Sequence, residues 1–311
     1  MRIVSLLPSG TEVLFALGLD REVVGVSHEC DFPPQVQKLR RVVHSRIPAE
    51  APPNEIDRLV REHIARGESV YSVDADALHE LSPDLIITQD LCHVCAPSPD
   101  DLATVLLEFD PRPEVLSLDP KDLGDVWRDI LWVGEETCRP HAAEALLEEI
   151  GARLERVESL VRETSERPRV AFLEWLNPFY VGGHWVPEMI DLAGGVDVLG
   201  RPHSPSFQVS PHDIIAAAPD VILVSPCGYT AERAREEYRS MAHHPQWNLI
   251  PAVRHGEVYF LEANSYFSRP GPRLITGIEA LAKVFHPTTN VSREAESAVL
   301  RLQVEAKAAY R

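Results

Sequence analysis

The feature that most restricts this chain is an internal echo. "ADALHELSPDLIIT" (75–88) and "PHDIIAAAPDVILV" (211–224) share a short helix, a Pro-Asp step and a buried strand, and Asp84 and Asp220 lie 136 positions apart. A repeat of that length points to a duplicated domain rather than a solenoid of small units. With 311 residues there is enough chain for about two domains with cores of their own.

The surrounding pattern agrees. "RIVSLLPSGTEVLFALG" reads as strand, turn and helix, with Ser9 and Glu12 in a capping-box spacing and Gly18 at the helix end. "REVVGVS" (21–27), "PDLIITQD" (83–90) and "PEVLSLD" (113–119) are further strands, and "RPRVAFLEW" (167–175) restarts the series. "GEVYFLE" (256–262) and "RLITGIEALAKVF" (273–285) close it with a strand and a helix. Short β-branched runs alternating with helical patterns predict parallel sheets with helices on their faces. Between the two series, Ala143, Leu146, Leu147, Ile150, Leu154, Val157 and Val161 keep helical spacing. Roughly 28 helical residues would reach about 40 Å, longer than an ordinary domain helix. The expected architecture is α/β: an N-terminal lobe over 1–134, a spacer helix over 135–166, a C-terminal lobe over 167–287 and a helical tail over 288–311, its last helix near Glu294–Ala309.

Composition excludes several classes. The formal net charge of -18 disfavours nucleic acid and anionic membranes, which need basic patches. No run of about 18 apolar residues exists, so no membrane-inserted segment is expected. The apolar run after Met1 is too short for a signal h-region. The expectation from the chain as written is a cytoplasmic location, and a periplasmic or cell-surface one if a leader precedes it. Five cysteines, Cys30, Cys92, Cys95, Cys138 and Cys227, are too few and too odd for a disulfide framework. There is no hydrolase elbow, P-loop or G-x-G-x-x-G in the chain.

Ligands of open α/β sheets sit beyond the carboxyl ends of the strands. The segments there are "PSGT" (8–11), "HECDFP" (28–33) and "QDLCHVCA" (89–96) in the first lobe. In the second they are "WLNPFYVGGHW" (175–185), "SPCGYT" (225–230) and "EANSYFSRPGPR" (262–273). The second set is rich in rings: Trp175, Phe179, Tyr180, Trp185, Tyr229, Tyr266 and Phe267. Such rings either fill space beneath the loops or meet a wide, flat, partly apolar ligand. Because they gather in loops rather than strands, ligand contact is the expectation. The expected binding set is Ser9, His28, Gln89, Cys92, His93, Trp175, Tyr180, His184, Trp185, Phe207, Tyr229, Phe267 and Arg269.

"GVSHECDFPPQVQKL" (25–39), the "PDLIIT" strand, the spacer helix and "SRPGPRLITGIEALAKVF" (268–285) together resemble the class III substrate-binding proteins of ABC importers, and among these the cobalamin (vitamin B12) binding type. The likeness covers about residues 2–285 and rests on order and spacing rather than on one motif. It implies α/β architecture with two Rossmann-like lobes, a rigid helical hinge and a ligand cleft between the lobes, and a non-enzymatic corrinoid binder with no required cofactor, either an importer component or a cytosolic relative. A permease would dock on acidic residues at each lobe's tip, for which Asp100, Asp101, Glu236 and Glu237 are the candidates. Acidic residues at helix starts also occur simply to complement the dipole. Haem, a siderophore or another metal chelate is the alternative ligand, with Arg269 and Arg273 available to a siderophore and His28, His93, His184 or His203 available to a metal.

The Cys-x-x-Cys pair is not part of that likeness. Cys92 and Cys95 with Cys30 and His28 offer a chemically reasonable four-ligand zinc set. A redox pair and a plain pocket loop are the other readings. Pro97 and Pro99 delay the next helix and so weigh against a thioredoxin-like arrangement.

Overall fold

The computed structural model describes residues 1–48, 51–90, 99–162, 164, 166–241 and 244–302. Its internal contacts define two units, Met1–Ile150 with Pro270–Pro272, and Gly151–Arg269 with Arg273–Arg311.

The first unit contains, in chain order, β1 (Ile3–Ser5), α1 (Pro8–Ala16), β2 (Val23–Ser27), β3 (Arg40–Ser45), α2 (Pro53–Ala65), β4 (Tyr71–Val73), α3 (Ala75–Leu81), β5 (Leu85–Gln89), α4 (Pro99–Leu106), β6 (Glu114–Leu118) and α5 (Leu123–Glu136). The strands form a sheet in the order β4-β3-β2-β1-β5-β6, parallel except for the β3–β4 pair at one edge. All five residues of β5 are buried, as a strand covered on both faces requires. Val4, Leu6, Val43, Leu78, Ile86 and Leu102 make the core on one side of the sheet.

Next comes α6 (Pro140–Arg162). The amphipathic stretch expected as one helix from Glu135 is therefore two elements. Cys138 adopts a left-handed φ of 55° between them, which ends α5. Pro140 then supplies the fixed φ that suits a helix start. The boundary between the units falls inside α6, at Ile150 and Gly151.

The second unit continues with β7 (Arg169–Leu176), β8 (Phe179–Val181), α7 (Val186–Leu192), β9 (Val196–Asp197), β10 (Phe207–Gln208), α8 (Pro211–Ala217), β11 (Val221–Val224), α9 (Ala231–Ser240), α10 (Pro251–His255), β12 (Val258–Leu261), α11 (Ala263–Tyr266), α12 (Leu274–Phe285), α13 (Arg293–Ser297) and β13 (Val299–Arg301). The sheet order is β10-β8-β7-β11-β12-β13, with β9 beside β7. The β7–β11–β12 centre is parallel and the flanks are antiparallel.

The echo is real at atomic detail. In the first unit Asp84 Oδ2 accepts from the Arg2 amide (2.6 Å), and Arg2 Nε donates to Leu81 O (2.6 Å). In the second, Asp220 Oδ2 accepts from the Arg169 amide (3.0 Å), and Arg169 Nη2 donates to Ala217 O (2.8 Å). The helix before each bracket ends in a left-handed residue, Ser82 at φ 42° and Ala218 at φ 45°. The same step thus aims a buried strand into each sheet.

Three local expectations are corrected. α1 begins at Pro8 with Leu7 as N-cap and no side-chain cap, so Ser9 and Glu12 form no capping box. Pro8 takes the first helical position, which moves Ser9 inside the helix. The tail is not one helix over Glu294–Ala309: α13 stops at Ser297, and Val299–Arg301 instead pairs with β12, where it closes an open strand edge. Residues 303–309 of that expected helix lie outside the described residues. Finally, Trp175, Phe179 and Tyr180 belong to strands, not loops, because Asn177–Pro178 is a tight turn between β7 and β8.

Candidate functional site

In the first unit the candidate surface lies at the carboxyl ends of β1, β2 and β5. A carbon added at Gly10 would stand 3.0 Å from Ile87 Cγ2 and 3.2 Å from Ser5 Oγ, so the first turn of α1 sits directly on the strand ends. Ser9 and Thr11 are buried in that turn. The Cys30 thiol is buried too, 3.1 Å from Thr11 Oγ1 and 3.4 Å from Ser27 Oγ. Arg41 Nη1 donates to the Ser27 and Cys30 carbonyls at 2.7 and 2.8 Å, which fixes the loop leaving β2. Cys30 is therefore a packed thiol with hydroxyl neighbours. His28 is partly exposed, its ring 5.7 Å from Tyr71 and its Nε2 3.4 Å from Glu29 Oε1. Its Nδ1 is buried with no hydrogen-bond partner among the described residues. Gln89 is buried at the end of β5. Cys92, His93 and Cys95 lie outside the described residues. Gly271 belongs to this unit, where a carbon added to it would be 3.7 Å from Ser9 Cα and Cβ and 3.8 Å from Glu12 Oε2.

In the second unit a β-bulge shapes the site. The β7–β8 register runs Leu173 to Val181, then Trp175 to Tyr180, so Glu174 is the extra residue. A bulge of this kind re-aims the side chains that follow it. Leu173, Leu176, Phe179 and Val181 remain in the core. Trp175 and Tyr180 are direct cross-strand partners, and so are Tyr180 and Gln208; cross-strand partners share a face. Phe207 pairs with Val181 instead, on the core side, and the guanidinium carbon of Arg201 lies 4.3 Å from its ring centroid. Trp175 and Tyr180 are each half-buried. The Trp175 indole N–H is buried with no hydrogen-bond partner among the described residues, and so is Ser225 Oγ just beyond β11. Buried polar atoms are normally paired, so two unpaired ones at adjacent strand ends mark a place where a ligand can supply partners.

Other rings go to the core. Trp185 is 5 % exposed and its Nε1 donates to Phe267 O at 2.8 Å. Phe267, 1 % exposed, packs on Phe172 at 5.8 Å. Tyr266 donates to Glu294 Oε1 at 3.1 Å, and its phenol is pushed up to about 12 by burial and then by that carboxylate. Arg269 is buried, while Arg273 lies 5.6 Å from the Tyr266 ring. Tyr229 is buried behind Trp175, edge to face at 5.6 Å.

His184 and His203 are both left-handed, at φ 50° and 57°, and are joined through the main chain. His184 N donates to Ser204 O at 2.7 Å, and His203 N donates to His184 O at 3.2 Å. Gly183 is forced by this pairing, since any carbon added there falls on the Ser204 carbonyl and 2.6 Å from Ser206 N. The loop after β11 is held likewise: Asn264 Oδ1 accepts from Gly228 N (2.9 Å) and Glu262 Oε2 accepts from Ala231 N (3.2 Å).

Residues 3–265 match the family described as "Periplasmic binding protein". The chain belongs to the periplasmic binding protein family. The ABC transporter substrate-binding lipoprotein YvrC of Bacillus subtilis is 26 % identical over 294 residues, 93 % of this chain and 81 % of that protein. The vitamin B12-binding protein of Vibrio cholerae is 24 % identical over 292 residues, 89 % of this chain and 86 % of that one. Among solved structures, the apo periplasmic heme-binding protein RhuT of Roseiflexus sp. RS-1 shares the fold with a TM-score of 0.68 at 24 % identity, over 92 % of this chain and 98 % of its own. Among the described residues of this periplasmic binding protein, no helix is long and apolar enough to cross a membrane.

The docking candidates sort differently from their sequence offset. α4 starts at Pro99 and its topological partner α9 at Ala231, 132 positions on rather than 136. Asp100 and Asp101 stand in the first turn of α4, whereas Glu236 and Glu237 sit in the middle of α9. The first-turn acid of α9 is Glu232, which the offset missed. Glu236 is exposed, but Glu237 is half-buried and its carboxyl is pushed up by burial. Two further residues escaped the sequence reading. Phe32 is 40 % exposed in the loop after β2, and Gln208 stands opposite Tyr180.

Proposed function

We propose that this periplasmic binding protein captures a flat metal chelate of the corrinoid type, without catalysis, and delivers it to an ABC permease. The observation that carries the reading is the bulge at Glu174. It sets Trp175, half-buried at the margin of the core, across from Tyr180 with its indole N–H unpaired among the described residues. Two half-buried rings on one face, with a hydrogen-bond donor between apolar surfaces, suit a broad ligand edged with amide or carboxylate acceptors. The V. cholerae relative named for vitamin B12 supports the corrinoid choice. Haem is the second reading, supported by the half-buried His184 imidazole, 5.5 Å from the Trp185 ring, and by the name of the RhuT structure. The exposed acids Glu232 and Glu236 of α9, with the first-turn acids of α4, are the proposed permease contacts.

Titration of the purified chain with cyanocobalamin and, separately, with haemin tests the reading. Trp175→Ala and Tyr180→Ala should each weaken the bound ligand by about 1–3 kcal/mol. Trp185→Ala should instead act on stability, because that ring is core. If both Trp175→Ala and Tyr180→Ala bind as tightly as the parent, the wall is misplaced. If neither chelate binds the parent, the ligand class is wrong.

A further inference from the structure

Trp175 is held from behind by a stack that reaches the outer face of α9. Tyr229 meets it edge to face, with ring centroids 5.6 Å apart and planes at 64°. On Tyr229 the Arg233 guanidinium carbon lies 3.9 Å from the ring centroid, close enough for a cation–π contact. One turn later on α9, Glu237 sits beside the same tyrosine, whose phenol is pushed up first by burial and then by the Glu237 carboxylate. The Tyr229 hydroxyl is buried and closes no hydrogen bond of regular geometry among the described residues. Arg233 at the ring face and Glu237 at the hydroxyl thus hold Tyr229 from two sides. The start of α9 is fixed separately: Thr230 Oγ1 accepts from Arg233 N at 3.3 Å, and Glu262 accepts from Ala231 N. The later part of α9 is anchored as well, since Tyr238 is buried and accepts from Trp247 Nε1 at 2.9 Å, so Arg233 and Glu237 stand on a fixed helix.

We propose that Tyr229, clamped by Arg233 and Glu237, is a positioning residue that couples α9 to Trp175, so that these residues set how tightly the chelate is held without touching it. The inference rests on the binding role proposed for Trp175. It goes beyond that role by assigning a support that runs from α9 to the ligand wall within one unit. The route is short, three side chains in successive contact, and Tyr229 acts through Trp175, behind which it is buried.

The test is a double-mutant cycle with two readouts. Arg233→Ala, Glu237→Ala and Glu237→Gln are each made in the parent and in a Trp175→Phe background. The first readout needs no ligand: the emission of Trp175, taken as parent minus Trp175→Phe, should shift in Arg233→Ala and Glu237→Ala and return toward the parent in Glu237→Gln, which keeps a polar neighbour for the tyrosine. The second is the dissociation constant for cyanocobalamin and for haemin. Arg233→Ala should weaken whichever chelate binds by about three- to tenfold, and most of that loss should vanish in the Trp175→Phe background. Equal losses in both backgrounds, or a Trp175 emission unmoved by Arg233→Ala and Glu237→Ala, would overturn the coupling. If neither chelate binds the parent, the chelate reading fails, and the emission result alone still decides whether α9 sets Trp175. Arg233 is exposed, so its truncation leaves the fold in place.

Discussion

Arg153 anchors the second half of α6 to its unit, and removing it should cost more stability than any exposed ion pair in the chain. Arg153 Nε donates to Glu279 Oε1 at 3.0 Å and Nη2 donates to Oε2 at 2.8 Å, a bidentate fork. Arg153 Nη2 also donates to Thr276 Oγ1 at 2.9 Å, and Ser292 Oγ donates to Glu279 Oε2 at 2.9 Å. The pair thus ties α6 to α12 and to the cap of α13. The side chains are 20 % and 9 % exposed. Breaking a buried pair costs about 3–5 kcal/mol, mainly because the remaining charge is stranded. Glu279 keeps the Ser292 hydroxyl and the more distant Arg156 charge after Arg153→Ala, so the cost should be about 3 kcal/mol, the lower end, because the arginine is also partly solvated. Glu279→Gln strands the more exposed partner and keeps an amide acceptor, so about 1–2 kcal/mol is expected. Arg153→Met with Glu279→Gln should cost less than the sum of the single changes by about 0.5–3 kcal/mol.

The pH dependence has a definite sign. Burial raises the Glu279 carboxyl, but the Arg153 and Ser292 hydrogen bonds outweigh it and hold the group below its usual 4.5. The pair's contribution is therefore complete above that value and is lost as pH falls through the lowered one. The difference between parent and Arg153→Ala should shrink on acidification. Urea unfolding followed by tryptophan emission measures this, since Trp175, Trp185 and Trp247 all lie in the second unit. A chain of two units need not unfold in one step, so the transition of the second unit is fitted separately. A variant within about 0.5 kcal/mol of the parent at neutral pH would refute the argument, because that is the range of ordinary surface changes.

Two further titrations should be visible in the same assay. His286 is buried at the end of α12, and burial with the nearby Arg167 charge holds its imidazole below 6.5; the unfolded chain then binds the proton more readily, so stability should fall as pH drops below about 6.5, and His286→Gln should flatten that slope. Asp129 on α5 is pushed up to about 7 by burial, against the Arg128 charge and with help from Asp119; its neutral form is favoured in the fold, so stability should decline as pH rises toward neutrality, and Asp129→Asn should raise the melting temperature at pH 8 more than at pH 5.

The echo and the strands with continuous β-branched runs were legible because they are buried on both faces. β5 and β11 carry their own signal in every residue. The strands that escaped were short elements at or next to a sheet edge, such as β4, β8 and β10, where two or three residues pair and no periodicity can develop. That gap mattered for the site. Read as a loop, residues 175–185 offered their rings as equivalent ligand contacts. Folded as a hairpin with an extra residue at Glu174, the same stretch divides them: Trp175 and Tyr180 go to one face, Phe179 goes to the core, and Trp185 bonds Phe267. Composition cannot contain that division, because a bulge is a register fact, set by where two strands meet rather than by which residues they hold. The offset of 136 failed for a related reason. It is exact through the buried repeat and lapses beyond the strand, where loops differ in length and only topology shows that Glu232, not Glu236, starts the matching helix. Sequence symmetry in a duplicated fold therefore transfers buried positions reliably, whereas residues that meet a ligand or a partner have to be transferred by their place on an element.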